Sequence, residues 1–252
     1  MEDVQVHERV VNVLIKQIFS RQLKPGDKLP SERQLAKDMD VDRVSLRIGL
    51  KHLEMMNVLF IRQGDGIYVR DFLKGASIDF LRILFLQLEQ TDEELLIDPY
   101  IIDELWEFWI AFYPEILKMA LKSYTPRDFK TAMEILDEQL AVLNDKTRLV
   151  ELELKSQELV ADIAHNIIVI LLSNTCRPLR KKMTEIVLCS MKDEDIKNHI
   201  KMVQQMMRTF MTSTAEDSHA IIEQYRNVLK SYHIILRKLL FKDYDNTAKK
   251  QM

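Results

Sequence analysis

Val10, Leu14 and Ile18, backed by Val11 and Ile15, recur at helical spacing and predict a first amphipathic helix. Lys24-Pro25-Gly26-Asp27 is a turn sequence and ends it. Ser31, followed three residues later by Gln34, reads as an N-cap with its capping box, opening a short second helix that carries Leu35 and Met39. After Asp40-Val41, Asp42 is placed to cap a third helix with Leu46, Leu50 and Leu53 on one face. The connection between the second and third helices is about three or four residues, the length that sets two helices at the steep angle of a helix-turn-helix. Two β-prone runs follow, Val58-Leu59-Phe60-Ile61 and Ile67-Tyr68-Val69, separated by Arg62-Gln63-Gly64-Asp65-Gly66. That pattern predicts a hairpin, and a hairpin directly after a helix-turn-helix is a wing.

The pattern then changes to helical spacing throughout, as in Ile78, Leu81 and Leu84 or Ile200, Val203, Met206, Met207 and Phe210. Helices are predicted near 77–90, 100–123, 126–143, 147–173, 177–191, 195–212 and 216–241. Thr125 before Pro126, with Asp128 in the first turn, marks one start. All five glycines lie in the first 75 residues. A long stretch without the residue that most readily takes positive φ suits a helical bundle better than a sheet. The fold class is therefore mainly α, with an N-terminal winged helix-turn-helix carrying a small β-hairpin and a C-terminal all-α bundle of six or seven helices. The domain reading is a winged domain over 1–70, a linker over 71–76, a helical domain over 77–241 and a frayed tail over 242–252.

Composition adjusts this picture only modestly. The net charge of −3 argues against a nucleic-acid partner, but residues 1–75 hold 13 Lys and Arg against 11 Asp and Glu, so the acidity lies in the remainder. A local basic face matters more for DNA than the total. No apolar run approaches the roughly 18 residues of a membrane span, and the first residues are polar, so a cytoplasmic, nucleoid-associated protein without a membrane partner is expected. Cys176 and Cys189 are the two cysteines and read as reduced thiols.

A recognition helix presents basic or hydrogen-bonding side chains near its N-terminus, on the face opposite its core stripe. Arg43, Ser45 and Arg47 meet that requirement, and Arg43 and Arg47 are four residues apart on one face. Arginine matches guanine O6 and N7 bidentately and also grips phosphate. Arg33, at the start of the second helix, is placed as a phosphate ligand. Gln63 and the amide of Gly64, at the hairpin tip, are candidates for the minor groove or the backbone. Each arginine taken singly is equally a solvated surface residue; the joint pattern makes the case.

Residues 23–69, with the proline-glycine turn, the PSERQLA helix start, the Arg-x-Ser-x-Arg segment and the Gly-x-Gly wing tip, resemble the DNA-binding domain of GntR-family transcription regulators. The resemblance implies a homodimer that binds palindromic operators, with Arg33, Arg43, Arg47 and Gly64 touching double-stranded DNA. Residues 105–120 and 161–179, with Asn198-His199, resemble the all-helical effector domain of the family's FadR-type branch, which implies a small-molecule effector bound there. Trp109 and Tyr113 stand where that branch commonly carries an arginine and a glutamate. His165 and His199 match two metal-holding histidines of many members, but Ala161 replaces the ligand aspartate and Val228, or a neighbour, the third histidine, Asp162 lying one residue off. Two imidazoles make a poor divalent site, so no metal and no cofactor are expected. Trp109, Tyr113, His165 and His199 then mark an effector pocket suited to an apolar or lipid-like ligand such as a fatty acid or acyl-CoA. The alternatives are a regulator that has lost its effector and a helical metal-dependent enzyme using His165 and His199. No nucleophile-base pair, phosphate loop or HExxH supports an enzyme.

Overall fold

The computed structural model describes residues 5–90, 99–212 and 215–241; the tail predicted over 242–252 lies outside them. Contacts divide the chain into two compact units, residues 1–91 and 92–252.

The first unit runs α1 (Val6–Phe19), α2 (Glu32–Asp38), α3 (Arg43–Met55), β1 (Leu59–Arg62), β2 (Gly66–Val69), α4 (Phe72–Gly75) and α5 (Ile78–Gln90). α1 and α3 cross closely, burying Val10, Leu14, Ile15 and Ile18 of α1 and Leu46, Leu50 and Leu53 of α3. Gly49 is required at this crossing: a Cβ there would lie 2.9 Å from Cγ1 of Val10 and 3.0 Å from the carbonyl of His7. The predicted turn between α2 and α3 closes without glycine. Asp40 takes φ 51°, while the amide of Val41 donates to Ala36 O and that of Asp40 to Lys37 O. This is the Schellman arrangement that satisfies the last carbonyls of a helix. Arg9 of α1 donates to the carbonyls of Met39 and Asp40, tying the same helix end to α1. α3 ends in the same way at Asn57, whose φ is 59°.

β1 and β2 pair antiparallel, Leu59 opposite Val69 and Arg62 opposite Gly66. Gly64 carries the positive φ of the tip, 78°. A third segment, absent from the hydrophobic pattern, pairs beside β2 through Gly26 N to Val69 O, Val69 N to Asp27 O and Leu29 N to Ile67 O. The predicted capping box of α2 forms by half. The Ser31 hydroxyl accepts from the amide of Gln34, but the Gln34 side chain turns to Asp38 at 2.6 Å. The helix predicted over 77–90 is α5. It groups with the first unit rather than with the helical domain, because Phe80 and Leu84 are buried and the rings of Phe19, Phe72 and Phe80 pack together.

The second unit comprises α6 (Pro99–Leu121), α7 (Pro126–Ala141), α8 (Lys146–Ile163), α9 (Ile167–Thr175), α10 (Arg177–Ser190), α11 (Asp193–Thr212) and α12 (Ala215–Leu240). α8 packs against α6, α7, α9 and α10, while α12 packs against α6, α10 and α11. The full capping box at Thr125 and Asp128 forms, with Pro126 in the first turn. Pro114 sits inside α6 and leaves the carbonyl of Ile110 without its helical donor. Arg226 of α12 supplies one at 3.0 Å. The single helix predicted over 147–173 is corrected to two. His165 adopts φ 49° and Asn166 caps α9 through the amides of Ile168 and Val169. Asparagine's competence as a cap breaks the helix where neither glycine nor proline signals it.

Candidate nucleic-acid interface

α3 begins at a well-made cap. The carboxylate of Asp42 accepts from the amides of Val44 and Ser45, both at 2.9 Å, and from the Ser45 hydroxyl at 2.6 Å. These bonds, the Ser45 hydroxyl first, hold the Asp42 carboxyl below its ordinary range. Ser45 is half-buried and its donor is committed to the cap, which leaves its oxygen to face a ligand only as an acceptor. Arg43 and Arg47 project from the side of α3 opposite Leu46 and Leu50, with side chains 59% and 62% exposed. They are not idle in the protein alone: Glu32, at the first position of α2, receives Arg47 Nε at 2.7 Å and lies 3.9 Å from Arg43. An exposed pair of this kind contributes about 0–1 kcal/mol, so phosphate or a base edge can displace it at little cost. Arg33 is exposed and makes no ion pair among the described residues. Gln63 and Gly64 are exposed at the hairpin tip.

Around that tip the structure gathers residues that the sequence pattern did not single out. Asp65 binds Lys28 at 3.1 Å, Arg62 at 3.3 Å and the hydroxyl of Tyr68 at 3.0 Å. The hydrogen bond between Asp65 and Lys28 raises the lysine and lowers the carboxyl. Arg70 and Arg62 lie over the ring of Phe60, at 5.1 and 5.9 Å. The hairpin therefore displays three cations braced by one carboxylate and two rings. Lys28 was invisible as a member because it reaches the hairpin from the added third segment. Val44 and Ile48 are also exposed on α3.

The sequence-matching model described as bacterial regulatory proteins, gntR family, fits residues 6–69, from the first residue of α1 to the last of β2. Residues 6–69 are a GntR-family helix-turn-helix domain. Over 140 residues the chain is 30% identical to the HTH-type transcriptional regulator Mce2R of Mycobacterium tuberculosis, covering 55% of this chain and 54% of that protein. The Uxu operon transcriptional regulator of Escherichia coli is 41% identical over 62 residues, 25% of this chain and 24% of that protein. The fatty acid metabolism regulator protein of Proteus mirabilis is 24% identical over 140 residues, 56% of this chain and 54% of that protein. The chain spans about half the length of the first curated relatives it matches. Among solved structures, E. coli McbR/YncC covers 96% of this chain and 100% of its own at 16% identity, with a TM-score of 0.44.

Of the four residues expected to mark an effector pocket in the helical unit, Trp109 and His199 line one cavity and Tyr113 packs beside Trp109, while His165 is exposed and lines none of it. Trp109 and Tyr113 are buried, their rings 5.0 Å apart, in a cluster with Ile116, Ala161, Val169 and Leu229. His199 is half-buried, its ring 5.1 Å from that of Tyr232. His165 is exposed at the α8–α9 break, because the left-handed turn there carries its side chain out of the core. Neither His165 nor His199 belongs to a group of three or more possible metal ligands among the described residues. Among the described residues, Asp103, Glu107 and His233 place ligand atoms within 4.8 Å of one another. There Asp103 already accepts from His233 at 2.5 Å and pairs with Arg237 at 3.4 Å.

Burial lowers the His199 imidazole below its ordinary value, with the Glu153 carboxylate partly opposing the shift. A histidine depressed in the folded state stays neutral while its unfolded counterpart gains a proton, so its contribution to stability is full above about pH 6.5. That contribution is lost as the pH falls below this value toward the folded pKa. The thermal midpoint of the helical unit is expected to fall between pH 6.5 and 5 more steeply in the wild type than in His199→Asn. Equal slopes would show that His199 does not titrate in this window.

Proposed function

We propose that the chain is a sequence-specific DNA-binding transcription regulator in which α3 enters the major groove and the hairpin follows the backbone beside it, while the helical unit binds an apolar effector. The observation that carries this reading is the pair of exposed arginines on α3, held by a capped N-terminus and a buried leucine face and restrained, among the described residues, by Glu32. Arg43 and Arg47 are the base-reading residues. Arg33 and the cations of the hairpin, Lys28, Arg62 and Arg70, neutralise phosphate, and Gln63 and the amide of Gly64 meet the duplex at the tip. A second copy of the chain on a palindromic operator is part of the proposal, as in the family that residues 23–69 resemble.

The effector arm rests on a cavity of about 100 Å³ in the helical unit, lined by Leu117, Leu121, Leu159, Val160, Met206 and Met207 among others. Such a lining suits a hydrocarbon chain. The fatty acid metabolism regulator among the relatives points to the same class of ligand. The whole proposal is tested by selecting duplexes from a random pool with the full chain. It expects one enriched sequence, bound more weakly as salt rises because each phosphate contact releases counterions. Binding without sequence preference at every salt concentration contradicts it.

A further inference from the structure

Two carboxylates stand inside the cationic face of the winged unit. Glu32 accepts from the Nε–H of Arg47 at 2.7 Å and lies 3.9 Å from Nη2 of Arg43. Asp65 takes Lys28 at 3.1 Å through one oxygen and Arg62 at 3.3 Å through the other. The Tyr68 hydroxyl closes on the same carboxylate at 3.0 Å. Each carboxylate thus holds two of the cations proposed to meet the duplex, in the place that a phosphate would take. Both are about one-third exposed, so solvent and a ligand can reach them.

Neither carboxylate caps a helix. Asp42, at the head of α3, does so and is consumed by two backbone amides. Among the described residues, Glu32 and Asp65 accept from side chains instead, and exposed ion pairs of this kind add little to stability. Glu32 at the first position of α2 also suits the positive end of that helix, but this asks only for a charge and not for a reach to α3. The contact with Arg47 is selective as well. It engages Nε and leaves the two Nη groups, the fork that matches O6 and N7 of guanine. A base edge can therefore be read with Glu32 in place, whereas a phosphate that settles on these cations meets a negative charge already there.

We infer that Glu32 and Asp65 are specificity-determining residues, built-in phosphate mimics that cancel part of the face's attraction for any DNA backbone while leaving the base-reading fork of Arg47 open. This rests on the DNA-binding reading and adds to it the two residues that separate operator from bulk DNA. Non-specific attachment is made of phosphate contacts almost entirely, so it loses most from a carboxylate among the cations. Operator binding draws on base edges too and loses less. Discrimination is a difference of affinities, and a repulsive group that weakens the wrong complex more than the right one raises it.

The test uses the full chain and fluorescence anisotropy, with the duplex selected from the random pool and a scrambled duplex of the same length and composition, over a series of salt concentrations. Glu32→Gln and Asp65→Asn remove a charge and keep an acceptor. Each is expected to bind the scrambled duplex about 3- to 10-fold more tightly at low salt, the size of one unit-charge repulsion at close range in water. The slope of log affinity against log salt should steepen by about one. The selected duplex should gain less, so that the ratio of the two affinities falls, and falls further in the double variant. Glu32→Asp keeps the charge and is expected to keep the wild-type slope, which a purely structural role for Glu32 does not predict. Wild-type slopes and ratios in Glu32→Gln and Asp65→Asn overturn the inference while leaving the DNA-binding reading standing. Equal weakening on both duplexes overturns it as well, because it marks a structural role. A wild type that does not prefer the selected duplex overturns both.

Discussion

Arg47→Ala and Arg43→Ala are each expected to weaken binding to the selected operator by about 1–3 kcal/mol, roughly 5- to 150-fold, and to relax the base preference at one position. Loss of both should leave only the weak, salt-sensitive attachment that the remaining cations provide. The size of the effect follows from where the side chains are. Each is more than half exposed, and the ion pairs with Glu32 are of the surface kind, so deleting an arginine removes little that holds the fold together. Thermal stability should change by no more than about 0.5 kcal/mol, as for surface substitutions generally. Electrophoretic mobility titrations at two salt concentrations, beside thermal unfolding, separate the two effects. Unchanged affinity in both single variants would remove α3 from the interface.

Leu46→Ala should do the reverse. Leu46 lies between those arginines in sequence but on the opposite face, with 0% of its surface exposed, in the layer where α3 meets α1. Truncating a fully buried leucine removes its transfer energy and leaves a cavity, a loss of about 2–5 kcal/mol. Gly49, one turn on, already brings the two helices to contact distance, so the crossing cannot close over the gap without disturbing Val10. Hydrogen exchange of the α3 amides in the full chain reads this locally; protection should drop by a factor of about 30 or more. With protein kept well below its unfolding temperature, operator affinity should fall far less than in Arg47→Ala. Undiminished protection would mean that the core of the first unit is not the one described.

Most of the first unit was legible because its punctuation is chemical. Ser31, Asp42 and Gly64 do at those positions what their side chains, or the lack of one, allow, and the leucine spacing of α3 fixes which face carries the arginines. Asp40 and Asn57 supply positive φ without glycine, a tolerance their short polar side chains confer. The glycine pattern alone could not show that. What escaped depends on distant partners. Glu32 and Lys28 reach the interface because α2 packs on α3 and the segment before α2 pairs with the hairpin, neither of which a periodic pattern records. In the helical unit, alignment by resemblance placed His165 in a pocket, whereas a left-handed turn at that residue puts it in water. Arg180 of α10 looks like one more cation in the run from Arg177 to Lys182. Only burial distinguishes it.

Methylation protection of guanine N7 by dimethyl sulfate, on the duplex selected by the full chain, tests the central claim most directly. Side chains of α3 in the major groove should shield at least one guanine in the selected site, and Arg43→Ala and Arg47→Ala should each restore reactivity at a different one. A duplex bound to saturation with every N7 as reactive as in free DNA would contradict the account.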